Sequence, residues 1–172
     1  MQIQRAKSTT NIVFDSTSII SRLVSHCTST SETRDIIIPQ CFSSDLSYVP
    51  KSTKEIFTEF PEYQANTELF QVNKSKYTQF VAINNKKNKD LGRLVFVNMM
   101  CCFGQKKKRI NYISLAFCLN DMGNWIRSQG YNHYPDIFVP KSNYGSYYSN
   151  WSTVENLLLD SIPKKSTVTA FK

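Results

Sequence analysis

Three groups of residues could do chemistry in this chain. The first is KSNYGSYYSNW, from Lys141 to Trp151, a polar stretch with one glycine, three tyrosines and no carboxylate. Its rings, Tyr144, Tyr147, Tyr148 and Trp151, with Tyr131 and Tyr134 nearby, could stack on bases, form a patch for another protein, or pack inward and plug their own cleft. The second is the cationic run Lys106, Lys107, Lys108 and Arg109. It could hold phosphate or an acidic partner, or be a solvated helix entrance, although cations oppose a helix N-terminus. The third is a scatter of polar groups, Asp45, Ser43 and Asn98, suited to hydrogen-bonding a ligand. Cys101 and Cys102 adjoin at a strand end, either a reactive pair or inert packing. His133 has no partner visible in the sequence.

These groups need a scaffold. PDIFVP (Pro135–Pro140) is a short apolar strand with proline at both ends, and a helix is expected behind it from Ser152, with Glu155 at capping-box spacing and Val154, Leu157 and Leu158 on one face. A strand followed by a loop and a helix places that loop at the carboxyl end of the strand, where α/β proteins bind ligands. Upstream, NIVF (Asn11–Phe14) reads as a strand, and Ile19 to Cys27 as a short helix. DIIIPQC (Asp35–Cys41) is a continuous apolar run, the mark of a strand covered on both faces. Ser52 and Glu55 form a second capping box, opening a helix through Ile56, Phe57 and Phe60. QFVAI (Gln79–Ile83) and LGRLVFVNMM (Leu91–Met100) are strands around a charged turn. Tyr112 to Ile126 has the spacing of a long amphipathic helix stopped near Gly130, and STVTAF (Ser166–Phe171) is a last strand. Residues 1–10 read as a loose arm or an edge strand. The alternation implies an α/β chain with a mixed, mostly parallel sheet between helix layers, in one domain over residues 1–172.

Composition bounds the rest. The 172 residues are 41% hydrophobic and 13% aromatic, so the chain is globular, and its net charge of +8 favours anionic partners. The five cysteines, Cys27, Cys41, Cys101, Cys102 and Cys118, show no CxxC spacing, and the two histidines, His26 and His133, fall in no metal-like pattern. No zinc site and no other cofactor is expected, and the thiols read as reduced and buried. Met1–Lys7 is polar and opens no signal peptide, and no apolar run approaches the roughly 18 residues of a membrane span. The expected location is a reducing intracellular compartment, or a viral particle assembled there.

The order of elements and several motifs resemble a macro domain, the three-layer α/β/α fold that in many members binds ADP-ribose. The resemblance runs from about Ile36 to the C-terminus, and is to the branch that removes terminal ADP-ribose from proteins and to the ADP-ribose-1''-phosphatases. LGRLVFVNMM is similar to the family's "lG…i.nl" strand. VPKSNYGSYYSNWSTVENLL lies without gaps on its "iPrIGcGlgGldW..V..ll", with Pro140, Lys141, Gly145, Trp151 and Val154 agreeing in type and spacing. The resemblance implies ligand contacts at Asp45, Ser43, Asn98, Lys141, Asn143, Gly145 and Asn150.

The departures are as informative. A diphosphate cradle needs backbone N–H groups turned inward, hence glycines. Asn143, Gly145, Tyr147 and Tyr148 keep one glycine of four, and FSSDLSYVPKSTK, in place of the family's first glycine-rich loop, keeps none. The positions of the hydrolase branch's lysine and aspartate carry Phe103 and Asn150, neither able to act as nucleophile or general acid/base. The expectation is therefore a catalytically degenerate macro fold serving as a structural or interaction module, with Tyr144, Tyr147, Tyr148, Trp151 and Lys106–Arg109 as its surface. Its partners would be other proteins, in a larger assembly. The lysine-, asparagine- and isoleucine-rich composition suits a viral or phage component. The alternatives are an ADP-ribose-binding module or hydrolase with unusual loops, and a basic nucleic-acid-binding protein.

Overall fold

The computed structural model describes residues 12–70, 77–104 and 106–172. The expected N-terminal arm, and Asn11 of the first strand, lie outside them. In chain order the elements are β1 (Ile12–Asp15), α1 (Ile19–Thr28), β2 (Ile36–Ser43), α2 (Lys51–Glu59), α3 (Pro61–Phe70), β3 (Thr78–Ile83), β4 (Leu94–Phe103), β5 (Arg109–Ile110), α4 (Tyr112–Ser128), β6 (Asp136–Pro140), α5 (Lys141–Gly145), α6 (Trp151–Ser161) and β7 (Val168–Phe171). The sheet order is β1-β7-β6-β2-β4-β3, with β5 beside β4. The pairs from β1 across to β4 are parallel, and β3 and β5 join β4 antiparallel. Among the described residues no helix is long and apolar enough to cross a membrane.

The central strands are covered on both faces, which is why β2 reads as an unbroken apolar run. Ile36, Ile38 and Phe42 pack with Leu23, Ile56, Phe57 and Phe60 from α1 and the α2–α3 region. Ile37 and Cys41 face the opposite layer, with Leu115, Leu119 and Met122 of α4 and Val154 and Leu158 of α6. β4 obeys the same alternation until Cys101, where it slips. Met100 stands opposite Phe42, and Cys102 opposite Ser43, so Cys101 is an extra residue in the ladder.

Several expectations shift. The strand expected from Leu91 begins at Leu94, where it first pairs with β2 at Ile36, and ahead of it Gly92 passes so close to Arg34 that a Cβ there would sit 1.9 Å from its carbonyl oxygen. Neither capping box forms. α2 follows Pro50 with no side-chain cap, and α6 is capped by Asn150, whose Oδ1 accepts from the Ser152 N–H. Phe60 closes α2 outside the helical region, and Pro61 opens a separate helix, where its missing N–H costs nothing. Lys106–Arg109 is not a helix entrance. Lys106–Lys108 lie in the turn of the β4–β5 hairpin and Arg109 opens β5, while α4 starts later behind Asn111, whose side chain accepts from the Ser114 N–H. The stretch expected as an open loop after β6 begins as the short helix α5.

Candidate functional site

The site lies where β2 and β6 part. They pair only at Ile36 with Asp136 and Ile37 with Ile137, and beyond that β2 runs on to Ser43 while β6 ends at Pro140. Pro39 contributes to the fork. Peptide groups along a parallel strand point alternately to either neighbour. Those of Pro39 and Cys41 face β6, and proline has no N–H to give.

The chain fills the fork with its own side chains. Cys41 N–H donates to Asn143 Oδ1 at 2.8 Å, and Asn143 Nδ2 donates to the Cys41 carbonyl at 3.2 Å. Tyr144 donates its hydroxyl to the Pro39 carbonyl at 2.9 Å. Asn143, Tyr144 and Tyr147 are all buried. Tyr147 packs edge-on against Tyr48, ring centres 5.7 Å apart, with its hydroxyl 3.4 Å from the Tyr48 carbonyl. Burial pushes the phenols of Tyr144 and Tyr147 well above the usual tyrosine range, so both are neutral.

From Asn143 a buried polar chain crosses the sheet. Asn143 Nδ2 donates to Thr53 Oγ1 at 3.0 Å, and Thr53 donates to Gln40 Oε1 at 3.0 Å. Gln40 Nε2 donates to the Tyr63 hydroxyl at 2.9 Å, which donates to Asn98 Oδ1 at 2.6 Å. Asn98 Nδ2 donates to Thr67 and to Gln79, each at 2.9 Å. Gln40, Thr53 and Tyr63 were not among the residues singled out from sequence. A glutamine inside an apolar strand run signals a buried partner, but not which one.

The expected ligand contacts thus divide. Ser43, Asn98 and Asn143 are buried and hydrogen-bonded within the protein, Ser43 to the Tyr48 backbone. Gly145 sits in α5 without a positive φ, and a Cβ there would meet nothing, so it does not provide a cradle turn. The positive φ values around the site belong to Leu46, Tyr148 and, in the hairpin, Gly104. Lys141 faces Trp151, its Nζ 5.4 Å from the ring centre, and Phe14 of β1 at 5.7 Å. Trp151 is half-buried against Tyr144. Asn150 is exposed and spends its side-chain oxygen on capping α6, and Phe103 lies at the end of β4. Tyr144 and Tyr147, expected on an interaction surface, are interior, because each hydroxyl finds a backbone carbonyl and each ring a packed wall. Tyr148 is 64% exposed.

Over the filled fork lies a shallow pocket of about 300 Å³, lined by Ser47, Tyr48, Lys106, Lys107, Lys108, Ser146 and Tyr148. The hairpin turn thus reaches the mouth of the site. Lys108 Nζ bonds Asp45 Oδ2 at 2.9 Å, and Ser47 donates twice to Asp45 Oδ1. The Lys108 bond, then the Ser47 bonds, hold the Asp45 carboxyl far below its usual range, so Asp45 is a fixed anion rather than a proton donor. Lys107 and Arg109 lie over the Tyr148 ring, 5.5 and 6.0 Å from its centre.

No protein-family model matches the chain, and no curated protein matches it in sequence. Solved structures do match in shape. A macrodomain protein from Streptomyces coelicolor superposes with a TM-score of 0.67 at 15% identity, covering 94% of this chain and 99% of that one. The macrodomain of DarG from Mycobacterium tuberculosis gives 0.65 at 12% identity, over 94% and 97% of the two chains. This chain has the macro-domain fold. The IBV X-domain also matches, at a TM-score of 0.54 and 8% identity, over 94% of this chain and 89% of that one. In open α/β sheets generally, ligands bind outside the carboxyl ends of the strands, the end at which β2 and β6 part here.

Proposed function

We propose that this chain is a macro-fold interaction module without hydrolase activity, whose ligand cleft is occupied by its own side chains. The observation that carries the reading is the Asn143 amide on both polar groups of the Cys41 backbone. A ligand entering between β2 and β6 would have to displace that amide and the buried Tyr147 ring. Two further facts support it. Neither Phe103 nor Asn150 can exchange a proton, and Asp45, the carboxylate at the mouth, is clamped by Lys108. The contact surface in this reading is the cationic mouth of Lys106, Lys107, Arg109 and Tyr148, which suits an acidic face on another protein. A place in a larger assembly, such as a viral or phage particle, is the form of this role that the composition suits.

The second reading is an ADP-ribose-like nucleotide held at the mouth. It is favoured by the pocket beside Lys106–Lys108 and the exposed Tyr148 ring. Calorimetry with ADP-ribose separates the two. No heat up to millimolar ligand is expected, and micromolar binding lost in Lys107→Ala and Tyr148→Ala would establish the second reading. A steep salt dependence of binding to single-stranded oligonucleotides would overturn both in favour of nucleic acid.

A further inference from the structure

Behind the filled fork, the Sγ atoms of Cys41, Cys101 and Cys102 lie within 4.8 Å of one another. All three residues are buried, and the Cys101 thiol points at Cys41 Sγ across 3.3 Å. The convergence depends on the bulge in β4. Neighbouring residues on a strand face opposite sides, and without the extra residue Cys101 and Cys102 would be divided between the two cores. With it, both enter the layer that holds Cys41. The same core contains Cys118, but its thiol turns to the Tyr77 carbonyl at 3.6 Å, outside the trio.

We propose that Cys41, Cys101 and Cys102 form a closed three-sulfur site for cuprous copper. Thiolates select soft ions such as Cu(I) and Zn(II) over those that prefer oxygen ligands. Zinc takes four ligands, or three with water in the fourth place. Here the described residues put three sulfurs together, with no histidine or carboxylate in the cluster, inside a wall that includes Tyr144, Tyr147 and Leu115. Each sulfur that binds as thiolate releases its proton to water, so loading one Cu(I) liberates up to three protons and leaves surplus negative charge. On that side β5 returns along β4, with Ile110 opposite Cys102 and inside the same core.

The test is an anaerobic titration of the full chain with Cu(I) against a chromophoric chelator, with X-ray absorption on the loaded wild-type protein. One Cu(I) per chain in an all-sulfur, three-coordinate shell is expected, with protons released on loading. Cys41→Ser, Cys101→Ser and Cys102→Ser should each weaken binding more than about tenfold, while Cys27→Ser and Cys118→Ser leave it unchanged. Circular dichroism checks that the variants fold, and where one does not, the wild-type absorption spectrum decides. No uptake, nitrogen or oxygen in the shell, equal loss in Cys118→Ser, or preference for Zn(II) over Cu(I) would each overturn the assignment.

Discussion

Asn143 bonds both polar groups of the Cys41 backbone, receiving the N–H at 2.8 Å and donating to the carbonyl at 3.2 Å. It thereby supplies to β2 the ladder contact that β6 stops giving after Ile137. The amide stands in for a strand, and a helix of only five residues carries it there.

Removing that amide should be costly. Asn143→Ala leaves the Cys41 N–H and carbonyl buried without partners and frees one side of Thr53, so a loss of about 3 kcal/mol is expected from unsatisfied buried groups. Urea unfolding measures it. The cycle of Asn143→Ala with Thr53→Ala should show a coupling above about 0.5 kcal/mol, because the two share a network.

Tyr147 tests the plug by size rather than by hydrogen bonding. Its hydroxyl contact is long, 3.4 Å, so Tyr147→Phe should change stability by less than about 1 kcal/mol. Tyr147→Ala empties a buried ring's volume and should cost about 3–5 kcal/mol. If the ring alone keeps ligand out, that alanine variant gains measurable ADP-ribose binding where the wild type shows none, as equilibrium dialysis would reveal.

The two glycines that the sequence places in family motifs should behave oppositely. At Gly145 a methyl group meets nothing and φ is not positive, so Gly145→Ala should be neutral or stabilising by up to about 1 kcal/mol. At Gly92 the same methyl would lie 1.9 Å from the Arg34 carbonyl oxygen, and Gly92→Ala should cost more than about 2 kcal/mol. Paired thermal melts decide both.

The architecture was legible because it rests on periodicity: the unbroken run of β2, the helical spacing of α4 and the strand at Pro135–Pro140. The site was less so. KSNYG is too short to show a helical period, so the inward turn of Asn143 and Tyr144 leaves no mark in the sequence. The place of Lys106–Lys108 at the mouth depends on a two-residue strand, β5, folding the hairpin back. The cysteine trio depends on a bulge, which joins Cys41 to Cys101, 60 positions away, and to its neighbour Cys102, and carries no spacing motif.

The opposite end of the sheet should set the acid limit of stability. Asp35, buried at the start of β2, accepts from the Arg93 backbone N–H at 2.7 Å, from the Arg93 guanidinium at 2.7 Å and from the Tyr131 hydroxyl at 2.6 Å. Burial opposes its ionisation, but the bonds from Arg93 and Tyr131 outweigh it, so its pKa lies below the ordinary value. A carboxyl that titrates lower in the folded than in the unfolded chain adds stability that is complete above the unfolded value of about 3.9 and drains as pH falls through the folded one. Wild-type stability should therefore hold across neutral pH and fall below about pH 4. Asp35→Asn removes the anion from beside Arg93 and should lose about 2–4 kcal/mol at pH 7, with the gap to wild type narrowing in acid. Urea melts of both proteins from neutral pH down to about pH 3 measure that gap, and a gap constant with pH would show that the carboxylate's charge plays no part.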